Sequence, residues 1–270
     1  MCPELLWSLQ VKTGVVMHHF FVDPSEIVDR TVHLTGENYK HLKIVLRARI
    51  GEKILISDGT GTDYECEVSE INEDEMLLHI NFREEIHELP ADIYLFQGLP
   101  KIDKMELIIQ KAVELGAHAI VPMETRNTVI RLDPQKADKK QKRWQAIAES
   151  AAKQSKRSMI PEVLPVMSWK QSLAYLSDFS FCVIPYENAK DIHKTLDALH
   201  TIAQLPETDD SARPKIAVMI GPEGGFSDEE IKEALAHNIQ PITLGKRILR
   251  TETAAICAMS ILMITLESEA

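Results

Sequence analysis

The chain has 270 residues, 44% of them apolar and 26% charged, which is the composition of a globular protein with one large domain or two ordinary ones. Its four cysteines form no C-x-x-C pair, which argues against a structural zinc site and a disulfide framework and indicates reduced thiols in a cytosolic protein. The most apolar run, residues 254–266, is shorter than the roughly 20 residues that span a membrane, and residues 1–16 lack the features of a signal peptide. We therefore expect a cytoplasmic protein with neither a membrane span nor a bound metal ion.

Residues 17–88 have the pattern of a small β-rich domain. Short apolar and β-branched runs alternate with turn residues, and the sequence D-G-T-G-T-D at residues 58–63 is typical of a hairpin turn. Residues 36–50 instead have helical spacing. Several short strands within about 70 residues predict a small barrel. The acidic stretch 84–90, which ends in a proline, would be the linker to the next domain.

From Asp92 to the end of the chain, strand-like and helix-like segments alternate, which predicts an α/β domain with a parallel sheet. The predicted strands are residues 93–97, 119–122, 181–185, 215–220 and 241–244. The predicted helices are residues 104–115, 134–155, 191–199 and 254–266. Residues 204–214 are polar and contain two prolines, so we interpret them as a loop.

Charge is distributed unevenly along the chain. The formal net charge is −11, yet residues 121–160 hold ten Lys and Arg against four acidic residues. A chain with this asymmetry can present one basic face to a nucleic acid while the rest of its surface stays acidic. For any single lysine of this stretch, an ordinary solvated helix face is the alternative interpretation.

Two glycine-bearing loops are the most specific motif. The first reads I-G-P-E-G-G-F-S at residues 220–227, and the second reads L-G-K-R-I-L-R-T at residues 244–251. Each follows an apolar strand and each opens onto a helix, a repetition that predicts a nucleotide-type ligand site at the carboxyl ends of parallel strands. Neither loop has the residue order of the known phosphate-binding motifs, and Glu223 would repel a phosphate.

The residues after the two loops predict two helix starts. Ser227, with Glu230 three residues later, has the pattern of a capping box. Thr251 or Thr253 would cap the closing helix.

The two loops resemble those of the knotted SPOUT class of RNA methyltransferases, which use S-adenosylmethionine (SAM). Within that class, I-G-P-E-G-G-F-S and L-G-K-R-I-L-R-T-E-T-A-A look like the RsmE family, whose members methylate N3 of a uridine, position 1498, in 16S ribosomal RNA. The resemblance covers almost everything after residue 16, including L-F-Q-G-L-P-K at residues 95–101. There the usual glycine-aspartate-lysine stretch reads Leu99-Pro100-Lys101, a departure that leaves the two loops intact.

The resemblance implies a SPOUT α/β-knot methyltransferase domain over residues 92–270 and a PUA-like RNA-binding β-barrel over residues 17–88. Residues 1–16 would then be an extension, or the result of a start codon placed too early. The knot is implied by the resemblance alone, because chains rarely thread loops and no sequence pattern predicts it. Because knotted methyltransferases of this class act as homodimers, we expect a homodimer.

By resemblance, SAM is held mainly by backbone groups of three loops. The residues implied are Ile220, Gly221, Gly225, Leu244, Gly245, Ile248, Leu249, Arg250 and Thr251. Such a backbone grip explains why glycines and apolar residues dominate the motif, since glycine lets a backbone approach a ligand closely.

Methyl transfer to a uracil nitrogen requires that the methyl group be held close to N3 and that N3 lose its proton. Glu187, Glu223 and Glu252 are the candidates that would accept this proton, whereas Arg250 would stabilise the uracil anion. Glu223 could instead hold the glycine turn, and Glu252 lies at a helix N-terminus, where the helix dipole favours a carboxylate. The sequence singles out no one base among them.

Five arginines are candidates for RNA binding, namely Arg47, Arg49, Arg126, Arg143 and Arg157. Arg47 and Arg49 match the basic motif of the PUA-like domain, with a surface ion pair as the alternative for each. The expected partner is 16S rRNA or the small ribosomal subunit. Two other functions stay open, which are an enzyme of the same fold acting on another RNA such as tRNA, and a non-catalytic RNA-binding factor in ribosome assembly.

Overall fold

The computed structural model describes residues 17–85, 88–101, 104–205 and 213–268. The predicted extension at residues 1–16, the centre of the predicted linker and most of the predicted loop at residues 204–214 lie outside the described residues. The chain divides into two compact units, with the boundary between residues 85 and 86. No helix in the described ranges is long and apolar enough to cross a bilayer.

The N-terminal unit is a six-stranded, mostly antiparallel sheet. Its strands, in the spatial order β1-β4-β5-β6-β3-β2, are β1 (His18–Phe21), β2 (Ile27–Val28), β3 (Thr31–Leu34), β4 (Lys53–Ser57), β5 (Thr62–Ile71) and β6 (Met76–Glu85). One apolar core, which contains Phe20, Val32, Ile54, Cys66 and Leu78, takes buried side chains from every strand but β2, whose half-buried Ile27 packs against it. A sheet whose strands share one core must curl around it, which agrees with the predicted small barrel.

A short helical segment connects β3 to β4. It consists of α1 (Gly36–Lys40) and a π-helical turn (His41–Val45). The helix predicted over residues 36–50 therefore exists but ends at Val45, because Arg47 adopts a left-handed backbone conformation with φ of 55°, which a helix cannot include.

The C-terminal unit contains a seven-stranded sheet in which every strand pair is parallel. Its strands are β7 (Asp92–Gly98), β8 (Ala117–Glu124), β9 (Glu162–Val163), β10 (Met167–Ser168), β11 (Phe181–Pro185), β12 (Lys215–Ile220) and β13 (Gln240–Ile242). The spatial order is β10-β8-β7-β12-β11-β13, with β9 beside β8. The central strands are almost continuously apolar and buried, as expected when helices cover both faces of a parallel sheet.

Six α-helices accompany this sheet in the part of the chain that the structure describes. They are α2 (Lys104–Glu114), α3 (Pro134–Ser155), α4 (Trp169–Tyr175), α5 (Ile192–Ala203), α6 (Asp228–Ala236) and α7 (Thr251–Glu267). The sequence pattern missed α4 together with β9 and β10. Two-residue strands are too short to show a periodicity, whereas the capping box of Ser168 and Gln171 was a signal from which the start of α4 could have been predicted.

The two predicted helix starts had different outcomes. At α6 the capping box is confirmed, since Ser227 Oγ accepts the N–H of Glu230 and the Glu230 carboxylate accepts the N–H of Ser227. At α7 the prediction of a threonine cap is wrong, because the N-cap is Arg250 and its side chain makes no capping bond. The hydroxyl of Thr251 donates instead to the carbonyl oxygen of Gly221 at 2.6 Å.

Helix α3 ends in a way that turns Arg157 inward. Lys156 caps the helix in the left-handed conformation, with φ of 58°. Arg157 then enters the interior, where it forms an ion pair with Glu88 and donates to the carbonyl oxygens of Val113 and Ala117. The prediction that Arg157 binds RNA is therefore wrong, since its guanidinium is buried and fully bonded within the fold.

Candidate functional site

A cavity of about 630 Å³ lies where the loops after β11, β12 and β13 converge. This volume is typical of pockets that hold a small molecule, and the carboxyl ends of parallel strands are where α/β folds bind ligands. The structure brings together around it the nine residues singled out in the sequence, namely Ile220, Gly221, Gly225, Leu244, Gly245, Ile248, Leu249, Arg250 and Thr251.

The first glycine loop turns tightly at the end of β12. The N–H of Gly225 donates to the carbonyl oxygen of Pro222 at 2.9 Å, and Gly225 has φ of 64°, a conformation that glycine adopts without strain. A Cβ on Gly221 would lie 3.1 Å from the Cα of Gly225, so a side chain there would push the two parts of the loop apart by a few tenths of an ångström. A Cβ on Gly225 would meet no atom within 4 Å, so its backbone borders open space beside the cavity.

The loop that follows β8 is hydrogen-bonded to this first glycine loop. Asn127 Nδ2 donates to the carbonyl oxygens of Gly224 and Gly225, at 2.9 and 3.2 Å. The backbone N–H of Arg126 donates to Glu230 Oε1 at 2.8 Å, which ties the same loop to the start of α6. The sequence pattern did not single out Asn127, because its partners lie 97 and 98 positions later in the chain.

The second glycine loop follows β13 and is anchored to α5. Thr243 donates its backbone N–H to Thr195 Oγ1 at 2.9 Å, and Gly245 donates its N–H to Thr243 Oγ1 at 3.2 Å. Gly245 has φ of 107°, and a Cβ there would meet no atom within 4 Å. Gly245 therefore offers its backbone to the cavity in the same way as Gly225 does.

Lys104, at the start of α2, links the first glycine loop to the first turn of α7 electrostatically. Its Nζ lies 3.2 Å from Glu223 Oε1 and 3.2 Å from Glu252 Oε2. Hydrogen bonds to Glu223 and then to Glu252 hold the pKa of Lys104 above its usual value. Partial burial works to raise the pKa of Glu223, but hydrogen bonds from its own N–H, from the N–H of Lys101 and from Lys104 outweigh it, so this pKa lies below its usual value. At neutral pH the lysine and Glu223 are therefore charged and paired.

The candidate catalytic side chains differ in their access to the cavity. Arg250 and Glu187 are exposed and line it. Glu252 does not line it, and its carboxylate, 17% exposed, is held by Lys104. Glu187 is thus better placed than Glu252 to meet a substrate. No cluster of three or more His, Cys, Asp or Glu side chains within the described ranges is arranged to hold a metal ion.

Four of the five arginines predicted to bind RNA are exposed. Arg47 and Arg49 lie on the surface of the N-terminal unit, after the π-helical turn. Arg126 and Arg143 lie on the surface of the C-terminal unit, and each is bonded to one carboxylate there. The fifth, Arg157, is the buried residue described above.

Comparison with known proteins identifies the family. The model for an RNA methyltransferase domain matches residues 87–263, and the model for the PUA domain of RNA methyltransferases matches residues 34–81. Ribosomal RNA small subunit methyltransferase E (RsmE) from Bacillus subtilis is 37% identical over 231 residues, which cover 85% of this chain and 88% of that protein. The chain belongs to the RsmE family.

Further members of the RsmE family agree with this assignment. The protein from Synechocystis is 32% identical over 254 residues, which cover 94% of this chain and 80% of that protein. The crystal structure of the RsmE protein from Neisseria gonorrhoeae, bound to SAM, has a TM-score of 0.73 and 31% identity and covers 93% of this chain and 98% of that one. The resemblance to the RsmE family and the fold class, a SPOUT methyltransferase domain with a PUA-like unit, are confirmed.

Proposed function

We propose that this RNA methyltransferase binds SAM and methylates N3 of a uridine in 16S rRNA, the uridine that family resemblance assigns to position 1498. The observation that carries the proposal is the cavity at the three loops, where backbone groups of glycine and apolar residues lie beside an exposed arginine, Arg250. A site of this kind suits a cofactor recognised by its shape and its amide-type hydrogen bonds, together with an anionic reaction partner.

The residues of the cavity fit SAM. The volume of about 630 Å³ is sufficient for a molecule of this size, and Gly225 and Gly245 leave open space where a side chain would otherwise stand. The lining carries both charge signs, including Glu187 and Arg247, which suits a ligand with an ammonium, a carboxylate and a sulfonium. When bound, SAM supplies the methyl group of its sulfonium.

Two side chains of the cavity would act on the uracil. Arg250 would stabilise the negative charge that uracil acquires when N3 loses its proton, because a fixed cation in a partly closed site stabilises a developing anion. Glu187, Glu223 and Asp228 all line the cavity, and of the two candidate bases among them Glu187 is the one that would accept the proton. The charge of Glu223 is already paired with Lys104, which makes it a part of the loop structure instead.

The basic surface of the C-terminal unit suits the RNA backbone. Helix α3 carries exposed Lys139, Arg143 and Lys153, and exposed Arg126 precedes the helix. Lysine and arginine on one surface attract phosphates irrespective of sequence, despite a net charge of −11 for the whole chain. Arg47 and Arg49 of the PUA-like unit would add a second contact. The partner that we propose is 16S rRNA, naked or within the small ribosomal subunit.

Helix α7 supports a homodimer. Its sequence is apolar all round, which is typical of a helix that is buried on every side. Yet Ile264 is 61% exposed, and Ile256, Ile261 and Met263 are only half-buried. A second copy of the chain packed on this face would cover it. Sedimentation of the wild type and of Ile264→Glu tests this, and a monomeric wild type would refute it.

Nucleoside mass spectrometry of 16S rRNA tests the proposed reaction. We expect 3-methyluridine to disappear when the gene is deleted, and to return with the intact gene but not with Arg250→Ala. If 3-methyluridine persists in the deletion strain, the proposed target is wrong. Loss of a methylated nucleoside from tRNA instead would indicate another RNA, and no change in any RNA would favour a non-catalytic role.

A further inference from the structure

Gln97 is a buried polar side chain beneath the cavity, at the penultimate position of strand β7. It is 0% exposed and does not line the cavity itself. Its Nε2 donates to Thr251 Oγ1 at 2.9 Å and to the carbonyl oxygen of Gly98 at 2.9 Å. Thr251 Oγ1 in turn donates to the carbonyl oxygen of Gly221 at 2.6 Å. One hydrogen-bond chain therefore joins β7, the first residue of α7 and the first glycine loop.

The direction of this chain is fixed by its chemistry. A threonine hydroxyl has one proton, and a carbonyl oxygen can only accept, so the proton of Thr251 must point to Gly221. Gln97 must then present its amide N–H groups to Thr251 and Gly98. This orientation leaves Gln97 Oε1 without a hydrogen-bond partner among the described residues. A buried acceptor without a partner costs stability, so the orientation is kept despite that cost.

The end of β7 and the first glycine loop are also in close steric contact. A Cβ on Gly98 would lie 2.6 Å from both the nitrogen and the Cδ of Pro222. The loop therefore lies directly on the strand end, and the hydroxyl of Thr251 holds the carbonyl of the Gly221–Pro222 peptide toward the start of α7. Pro222 has no backbone N–H, so the carbonyl oxygen of Gly221 is the hydrogen-bonding group of this peptide. The orientation of the peptide, and of the loop groups that face the ligand, therefore depends on how that oxygen is held.

We infer that Gln97 is a positioning residue for the cofactor: through Thr251 it sets the orientation of the Gly221–Pro222 peptide and with it the SAM-binding shape of the cavity. This inference rests on the proposed use of SAM. Gln97 touches neither the cavity nor a reacting atom, so its effect must reach the cofactor through Thr251. A hydrogen-bond chain in a dry interior polarises each of its members, which makes the geometry sensitive to the first donor.

Substitutions at Gln97 and Thr251 change the hydrogen-bond chain in different ways. In Gln97→Glu, an ionised carboxylate would accept the proton of Thr251 and reverse the chain, so the Gly221 carbonyl would lose its donor. In Thr251→Val, the shape is kept and the hydroxyl is lost, whereas Thr251→Ser keeps the hydroxyl. Gln145→Met is the matched control, because Gln145 also joins two backbone groups, Val163 N–H and Pro161 C=O, but lies outside the cavity lining.

The experiment is calorimetric titration of each folded variant with SAM, together with its thermal unfolding without ligand. We expect Gln97→Glu and Thr251→Val to weaken SAM binding about tenfold or more, with a smaller loss for Thr251→Ser. Gln145→Met should lower the unfolding temperature with less than a twofold change in the Kd for SAM. Circular dichroism establishes that each variant is folded, and should Gln97→Glu fail to fold, Gln97→Met, which removes the donor to Thr251, carries the test.

The pH profile separates positioning from general damage. Burial raises the pKa of a carboxyl group, so lowering the pH would protonate the glutamate of Gln97→Glu and give it an O–H that donates to Thr251 again. SAM affinity of this variant should therefore recover as the pH falls, relative to wild type measured in parallel. A Kd within twofold of wild type for the folded Gln97 variant, at the pH where its side chain cannot donate to Thr251, overturns the inference alone. A wild-type chain that binds no SAM overturns the proposed function and this inference together.

Discussion

The guanidinium of Arg157 lies against the carboxylate of Glu88, with Nε 3.1 Å from Oε2. The two side chains are 5% and 3% exposed. Glu88 also accepts the backbone N–H of Ser158 at 3.2 Å, so the pair links the end of α3 to the segment that precedes β7. This ion pair is part of the interior of the C-terminal unit and is not available to a phosphate.

Replacing Arg157 with methionine should destabilise the C-terminal unit by about 3–5 kcal/mol, because the Glu88 carboxylate would stay buried without its partner. Urea unfolding of the full chain measures the loss. Arg143→Met is the control, since the Arg143 side chain is 67% exposed and its pair with Glu106 is screened by water. Similar losses of unfolding free energy in the two variants would show that the buried ion pair stabilises the fold no more than the exposed one.

Sequence periodicity predicted the sheet of the C-terminal unit because its strands are buried on both faces and must be apolar throughout. The same reasoning missed β9 and β10, which have two residues each and no room for a period. It also extended the first helix to residue 50, because spacing alone does not reveal the left-handed conformation of Arg47. What periodicity cannot supply is the conformation of single residues between elements.

The candidate site was predictable as far as it depends on glycine. Gly221, Gly225 and Gly245 marked the loops correctly, since a backbone that turns tightly beside a ligand needs residues without a Cβ. The side chains that hold the loops were not predictable. Asn127 and Gln97 act on partners 97 and 154 positions away, so only the folded chain shows that they meet.

Arg250→Ala should lower the turnover number by about two to three orders of magnitude, as expected when a group that stabilises a developing anion is removed. SAM binding should change far less, because the neighbouring loop residues would hold the cofactor through their backbones. Single-turnover methylation of a 16S rRNA fragment, with SAM titration in parallel, measures both quantities. Turnover equal to that of wild type would remove Arg250 from the mechanism.

Glu187→Gln should reduce turnover much more than Glu252→Gln does. Of these two carboxylates, Glu187 lines the cavity, whereas Glu252 does not line it and is held by Lys104. Loss of a general base typically lowers the rate by about two to four orders of magnitude. Methylation rates of both variants, measured across a range of pH, would show which of the two carboxylates accepts the proton. The opposite ranking would assign proton transfer to Glu252 and require Lys104 to release it.

Charge reversal on α3 should weaken RNA binding and flatten its dependence on salt. The double variant Lys139→Glu with Arg143→Glu removes two exposed cations, and each lost phosphate contact lowers the slope of log affinity against log salt by about 0.7–0.9. Lys194→Glu is the control, since Lys194 is exposed on α5, which packs against β13 and not against β9 as α3 does. An unchanged salt slope in the double variant would locate the RNA surface elsewhere.

Cys66 should make the N-terminal unit sensitive to alkali. Burial, and next the negative charge of Glu65, raise the pKa of this thiol to about 12 in the folded chain, against about 8.5 for an unfolded thiol. Above about pH 8.5 the unfolded chain therefore loses a proton that the folded chain keeps. The contribution of the Cys66 thiol to the free energy of unfolding is fully present below about pH 8.5. It falls by up to about 1.4 kcal/mol per pH unit as the pH rises toward about 12.

Cys66→Ala should remove this component of the alkaline destabilisation. Unfolding free energies of wild type and variant, measured at a series of pH values, should converge as the pH rises, because only the wild type carries the titrating thiol. The ultraviolet absorbance of thiolate gives an independent reading, since the wild-type minus variant difference should appear in the folded chain only near pH 12. A thiolate signal close to pH 8.5 in the folded protein would mean that Cys66 is reached by water and that the core of the N-terminal unit opens locally around it.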